Sequence, residues 1–333
     1  MVPEIAHSVR LTDDADAVLV LDRRRLPFER VWVRCGTVDE VAEAIKDMVT
    51  QSSGPYFAAL SAMVLAAREA SGLSPEHARA HLERAGRLLV RTRRTNNHLR
   101  KAVHAVLSTS DTSVDGVLAA ARAGEELYRA RSRALASAAA ELLPDGARVL
   151  THCWADIYLI ELVTALERAG KRFSFVCTET RPYLQGARLT APTLVEMGVD
   201  TTLITDGMGA AVLADGRVDA LVTAADRVTM DGHVVNKVGT LGLAASARAF
   251  GVPFHALVQA PDQDAASADA VPIEYRDPAD VLSALGRPVP GVRGLYPAFD
   301  VTPPNLVTTV VTDRGAFAPA DVHEYYREGE QNQ

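Results

Sequence analysis

The feature that most constrains this 333-residue chain is a change of hydrophobic period near residue 147. From Ala147 onward, short apolar segments alternate with helix-compatible stretches: Val149 to Thr151, then Ile157 to Arg168, then Phe173 to Cys177. Further strands are predicted at Thr201 to Ile204, Ala220 to Thr223 and Phe254 to Val258. Strands that alternate with helices need right-handed crossovers, which build a parallel sheet covered on both faces. Such sheets bind ligands beyond the carboxyl ends of their strands. The residues just after each predicted strand are therefore where chemistry is to be sought.

Before residue 147 the period is helical. Thr37 with Glu40 three residues later is a capping-box pattern, and Val38, Val41, Ala42, Ile45 and Val49 follow at helical spacing. Helices are predicted from Tyr56 to Ser71, from the Ser74 cap and Pro75 to Leu89, from Asn96 to Leu107, and from Ser113 to Leu142, where Pro144, Asp145 and Gly146 break the pattern. Val18 to Leu21 and Val31 to Val33 precede them as a hairpin-like element. The expectation is an α/β protein. A mainly helical domain with a small β element occupies residues 1–143, and a Rossmann-like parallel-sheet domain occupies residues 144–333.

A net charge of −7 argues against nucleic acid or an anionic membrane as the main partner, since both reward clustered positive charge. No apolar run reaches the roughly 18 residues of a membrane span, and MVPEIAHSVR is not a leader pattern, so a cytoplasmic location is expected. Cys35, Cys153 and Cys177 show no CxxC spacing, which fits a reducing compartment and predicts neither a disulfide framework nor a structural zinc. Gly207 and Gly209 form GxG after a strand but lack the third glycine, and no GxxxxGK[ST] occurs, so no dinucleotide cofactor is expected. The stretch Ala260 to Ala270, small and polar, reads as a mobile surface loop.

Cys153 follows the first strand of the alternating region, Asp206 follows Thr201 to Ile204, and Asp226 follows Ala220 to Thr223. Thiol and acidic groups at successive strand ends point to one cleft. A buried inert cysteine and a helix-capping aspartate are the plainer alternatives, and position alone does not choose between the two aspartates. His152 reads as a hydrogen-bond partner rather than a base. The segment Thr180 to Arg188, with Arg181, Gln185 and Gly186, suits a polyhydroxylated anion. Arg93, Arg94 and Lys237 add positive charge, although a charged side chain on a helix is most often only a solvated face.

Together the motifs resemble the methylthioribose-1-phosphate isomerase family, which also includes ribose-1,5-bisphosphate isomerases and the regulatory subunits of the eukaryotic translation-initiation exchange factor. The likeness runs over nearly the whole chain: LDRRRLP from Leu21, THC from Thr151, ETRPYLQGARLTA from Glu179, ITDGM from Ile204, AADRV from Ala224, NKVGT from Asn236 and PAFDVTPPNLV from Pro297. It implies an aldose–ketose isomerase acting without metal or redox cofactor on a 5-substituted ribose 1-phosphate, and a homodimer. Cys153 and Asp226 match the residues that transfer protons, and Gln185 and Asn236 match residues that hold sugar hydroxyls. Lys237 would contact the phosphate or depress the Cys153 pKa, as a thiolate base requires. Asp226 would stay protonated in apolar surroundings supplied by Ala224, Ala225 and Val228.

The departures from the family pattern are equally specific. Where the family has RGAPAIG, this chain reads SSGPYFA, so Ser52 replaces a phosphate-contacting arginine two residues before Gly54. Arg93 matches the arginine of the family's RPT motif, with Arg94 beside it. After the cysteine, Trp154, Ala155 and Asp156 replace NAG. The regulatory subunits generally lack the cysteine–aspartate pair, so the alternative is a non-catalytic protein that senses sugar phosphates or nucleotides.

Overall fold

The computed structural model describes residues 2–93, 97–283, 286–287 and 289–332, with side chains described as far as residue 327. Contacts divide the chain into residues 2–130 and residues 131–333.

In the first unit, β1 (Val9–Leu11), β2 (Val18–Leu21) and β3 (Trp32–Cys35) form an antiparallel sheet. The expected hairpin thus has a third strand, VRL, too short and too exposed to announce itself in sequence. Four helices follow: α1 (Val38–Lys46), α2 (Gly54–Glu69), α3 (Pro75–Arg91) and α4 (His98–Leu107). Both halves of the α1 capping box are present, with the Thr37 hydroxyl accepting from the Glu40 amide and the Glu40 carboxylate accepting from the Thr37 amide. At the start of α3 the Ser74 hydroxyl accepts from the His77 amide, a single cap without the reciprocal bond. Helix α2 is buried almost all round, as its apolar composition requires.

Helix α5 (Val114–Leu142) carries the chain into the second unit. The contact boundary falls inside it, between Ala130 and Arg131, rather than at residue 143/144 as read from Pro144. The physical reason is local. Arg131 pairs with Asp313 and donates to the Gln259 carbonyl and the Tyr325 hydroxyl, while Ser132 accepts from Gln259 at 3.0 Å. An alanine-rich helix carries no compositional mark of such a handover.

The second unit is built on a seven-stranded sheet of order β13-β12-β10-β7-β4-β5-β6. Its strands are β4 (Ala147–Thr151), β5 (Phe173–Thr178), β6 (Asp200–Ile204), β7 (Ala220–Ala224), β10 (Phe254–Leu257), β12 (Thr309–Thr312) and β13 (Gly315–Phe317); all pairings are parallel except β12 with β13. Helices α6 (Ile157–Arg168), α7 (Ala191–Glu196), α8 (Gly209–Ala214) and α9 (Thr240–Ala249) lie between strands in sequence. Leu150, Leu221, Phe254, Ala256 and Val310 pack with Leu213 of α8 and with Leu243, Ala244 and Ala247 of α9 in one core cluster. A second, antiparallel sheet of β8 (Arg227–Val228), β9 (Val234–Lys237) and β11 (Phe299–Thr302) was not foreseen. It has its own small core around Val235, Ala265, Ala298 and Phe299.

The stretch Ala260 to Ala270 is a surface loop only in part. Gln263, Asp264, Ala266, Asp269 and Ala270 are exposed, but Ala265 is fully buried and Asp262 forms a buried ion pair with Arg227. Polar residues read as solvated here because their partners lie far away in sequence.

Arg131→Met should leave the Asp313 carboxylate without its cation. Urea unfolding is expected to register a loss of about 2 kcal/mol, the lower side of the range for breaking a buried pair because Arg131 is partly exposed. A change within experimental error would show that Arg131 does not secure this end of α5.

Candidate active site

The chain leaves β4 for β5 and β6 on one side, then returns to the other side of β4 with β7, β10 and β12. The direction of winding therefore reverses between β4 and β7, which are adjacent and paired Val149 to Ala220 and Leu150 to Leu221. At such a reversal the following connections diverge and leave a crevice beyond the carboxyl ends. Cys153 lies two residues past β4, and Asp226 two residues past β7. Neighbouring strands run roughly 4.8 Å apart, so the two residues start from adjoining positions.

Cys153 is partly exposed, whereas Cys35 and Cys177 are buried. Its backbone is left-handed at φ +67°. A non-glycine residue persists there only when its surroundings hold it, and those surroundings are visible. The Cys153 amide donates to the Thr180 hydroxyl at 2.9 Å, and the Cys153 carbonyl accepts from the Thr190 hydroxyl. Thr180 is itself left-handed at φ +63°, and its amide and that of Arg181 donate to the Asp206 carboxylate at 2.8 and 2.6 Å. Asp206 thus anchors a loop. That removes it from the choice of strand-end acids that the sequence left open.

His152 has the supporting role expected of it. Burial lowers its pKa, so the ring is neutral. Nε2–H donates to the Val238 carbonyl at 2.9 Å, and Nδ1 accepts from the Thr178 hydroxyl at 2.6 Å. Gly239 touches the same ring. It sits at φ +109°, and a Cβ there would come within 2.9 Å of Nε2, so no other residue fits.

Gln185 is buried at the start of a π-helical turn, Gly186–Thr190, that runs into α7. Asn236 and Lys237 end β9, both buried. Asn236 donates to the Thr240 hydroxyl at 3.0 Å, and Lys237 Nζ donates to the Ala298 carbonyl at 3.0 Å while lying 4.9 Å from the centre of the Phe299 ring. Asp226 is half-buried, its amide donating to Val235 at 3.0 Å, and the next residue, Arg227, makes the buried pair with Asp262. The charges of Lys237, Asp226 and Arg276 all act on the Cys153 thiol. These groups therefore share one electrostatic neighbourhood.

The expected depression of the Cys153 pKa is overturned. Burial pushes the thiol up to about 11, and Asp226 adds to the rise, while Lys237, the Trp154 amide and Arg276 pull down without overcoming it. At neutral pH the resting side chain is a thiol, not a thiolate.

Asp300, on β11 directly opposite Asn236, was not singled out from sequence although it lies within the PAFDVTPP match. One carboxylate oxygen accepts from the amides of Gly239 at 2.7 Å and Leu241 at 3.1 Å. Burial nonetheless raises the group to about 6. Gln185 Oε1, Asp300 Oδ1 and Arg276 Nη1 are buried and make no hydrogen bond among the described residues. Buried polar atoms are rarely left unpaired. Two acceptors and a cationic donor are what a hydroxylated anion would satisfy. Among the described residues, no three His, Cys, Asp or Glu side chains are grouped to hold a metal ion, and no helix is long and apolar enough to cross a membrane.

The remaining sequence candidates belong to the first unit, apart from Arg94, which lies outside the described residues. Ser52 has φ +55° just before α2. Gly54 opens α2, and a Cβ there would fall 1.8 Å from the Thr50 hydroxyl, so close packing already accounts for the glycine. Arg93 follows α3, with Nη1 donating to Met48 Sδ at 2.6 Å. Trp154 and Asp156, which replace the family's smaller residues, are both buried.

The model of the Initiation factor 2 subunit family matches residues 49–319. The chain belongs to this family. It is 40% identical over 320 residues to a methylthioribose-1-phosphate isomerase of Pelotomaculum thermopropionicum, covering 90% of this chain and 88% of that protein. The crystal structure of 5-methylthioribose 1-phosphate isomerase from Pyrococcus horikoshii is similar with a TM-score of 0.85 and 32% identity, covering 100% of this chain and 99% of that one. Translation initiation factor eIF-2B subunit delta from A. fulgidus is similar at a TM-score of 0.78 and 31% identity, over 94% and 96% of the two chains. Family membership thus spans enzymes and initiation factors.

The Asp300 carboxyl binds its proton more tightly in the folded than in the unfolded chain, whose value is near 3.8. Its contribution to stability is accordingly full below about pH 4 and is lost as pH rises through about 6. Asp300→Asn lacks this dependence. Between pH 4 and pH 7 the variant should gain on the wild type by on the order of 2 kcal/mol in urea unfolding; parallel stability curves would contradict the assignment.

Proposed function

We propose that the protein is an aldose–ketose isomerase that converts a 5-substituted ribose 1-phosphate to the corresponding ribulose 1-phosphate, with Cys153 and Asp226 as the proton-transferring pair. The observation that supports this reading is the position of Cys153 and Asp226 just beyond the paired strands β4 and β7, where the Asp226 charge acts on the thiol. The curated isomerases at 36 to 40% identity support the reaction class.

The chemistry explains the pairing. Phosphate on the anomeric oxygen prevents the sugar from opening as a free aldose does. The C1 to ring-oxygen bond must break with a proton supplied to that oxygen, a proton must leave C2 for a base, one must be returned to C1, and the 2-hydroxyl must give up its proton as the C2 carbonyl forms. Two protons are gained and two are lost, so one member of the pair acts as the acid while the other, ionised, acts as the base. The resting thiol enters as the protonated partner. Gln185 and Asn236 bind sugar hydroxyls, and Lys237 meets the phosphate. The buried Trp154 and Asp156 beside the thiol shape the region that receives the 5-substituent. A homodimer in the cytoplasm completes the proposal.

A non-catalytic sensor of sugar phosphates is the second reading, favoured by the likeness to the A. fulgidus initiation factor subunit. Incubation with a panel of pentose 1-phosphates, followed by proton NMR, separates the two: ketose must form with at least one. Cys153→Ser and Asp226→Asn should each lower kcat by at least about 100-fold with an unchanged melting temperature. Full activity in either variant removes that residue from the mechanism, and binding without conversion across the panel favours the sensor.

A further inference from the structure

Arg276 lies in an irregular segment between β10 and β11. Its side chain is only 10% exposed. Burying a guanidinium that deeply is unfavourable unless its donors are engaged. Glu274 engages Nε at 2.8 Å. Nη1, at the other end of the fork, is buried and makes no hydrogen bond among the described residues. The rings of Phe299, Tyr183 and Tyr296 wall the guanidinium at 5.8, 5.9 and 6.0 Å, and the buried Tyr296 hydroxyl interacts with the same guanidinium without a hydrogen bond of ordinary geometry.

Position gives the orphan donor its meaning. Phe299 lies between two cations, with Lys237 Nζ 4.9 Å and the Arg276 guanidinium 5.8 Å from its centre. Both cations act on Cys153. Of the carboxylates nearby, Glu274 takes the Nε edge of Arg276, and Asp300 accepts from two backbone amides through one oxygen while the other, Oδ1, makes no hydrogen bond among the described residues. A planar fork of fixed donors matches the oxygens of a phosphate or another oxyanion better than any neutral group.

We infer that Arg276 is a further substrate-binding residue, which donates from Nη1 to an anionic oxygen of the sugar phosphate held beside Cys153. The identity of the occupant rests on the isomerase reading; the contact itself is tested without turnover. Cys153 is alkylated with iodoacetamide at pH 9, read peptide by peptide by mass spectrometry, with increasing ribose 1-phosphate or inorganic phosphate. Ribose 1-phosphate should protect the wild type. In Arg276→Gln the protecting concentration should rise about tenfold or more, the scale of a lost charge-assisted hydrogen bond. Arg276→Lys keeps the charge but not the fork and should fall between. The exposed Arg293→Gln removes a charge from the same segment and should match the wild type.

If Arg276→Gln fails to fold, a change of threefold or more in Arg276→Lys carries the test. Protection constants within twofold of wild type in the folded Arg276 variants would overturn the inference, as would a wild type that neither anion protects. Lack of turnover on every pentose 1-phosphate, by contrast, overturns the isomerase reading while the protection ratios still decide the role of Arg276. Where turnover is found, a rise in KM at nearly constant kcat supports a ground-state contact. An unchanged KM and kcat argues against any contact.

Discussion

The parallel pairing of β4 with β7 is the constraint on which the rest of the second unit depends. It joins two strands that are far apart in sequence, and it fixes the place where the winding of the sheet reverses. Every group in the candidate site is then a short distance from one of those strand ends or is attached to something that is. Cys153 and Asp226 extend the strands themselves. Asp206, from the end of β6, ties down the loop that in turn holds the Cys153 amide.

Electrostatics in this neighbourhood is a contest between burial and charge, and burial wins for each of the groups that departs most from its ordinary value. Two cations reach the Cys153 thiol, yet desolvation keeps it protonated. Two amides and Lys237 favour the Asp300 carboxylate, yet it remains half-way to neutral at mildly acidic pH. The arrangement holds back charge until something replaces the missing solvent. Ligand oxygens are the natural replacement, and the unpaired atoms of Gln185, Asp300 and Arg276 mark where they fit.

Much of this was legible in the residues. The change of period at Ala147 pointed to the parallel sheet, and strand-end logic placed Cys153 and Asp226 just past strands that the structure pairs. Capping signals at Thr37 and Ser74 gave helix starts that the structure reproduces. What escaped was long-range. The sheet of β8, β9 and β11 joins strands too short for a periodic signal, with β11 separated from β9 by more than 60 residues of mostly irregular chain. Asp262 looked solvated because its partner, Arg227, is 35 residues away. Arg276 and Asp300 lacked any local cue, since their meaning comes from burial. The direction of the Cys153 shift could not be read either, because a nearby lysine is visible in sequence and the depth of a crevice is not.

The aromatic pair near residue 325 has a bearing on how the protein is made. Tyr325 joins Arg131 and Asp313, and Tyr326 donates to the Pro261 carbonyl, one residue before the aspartate that pairs with Arg227. The turn carrying Asp226 is thereby braced from a part of the chain synthesised long after Cys153. On the ribosome, strands β4 to β7 are complete long before the end of the chain, whereas the contacts of Tyr325 and Tyr326 with Arg131, Asp313 and Pro261 wait for the last residues to emerge.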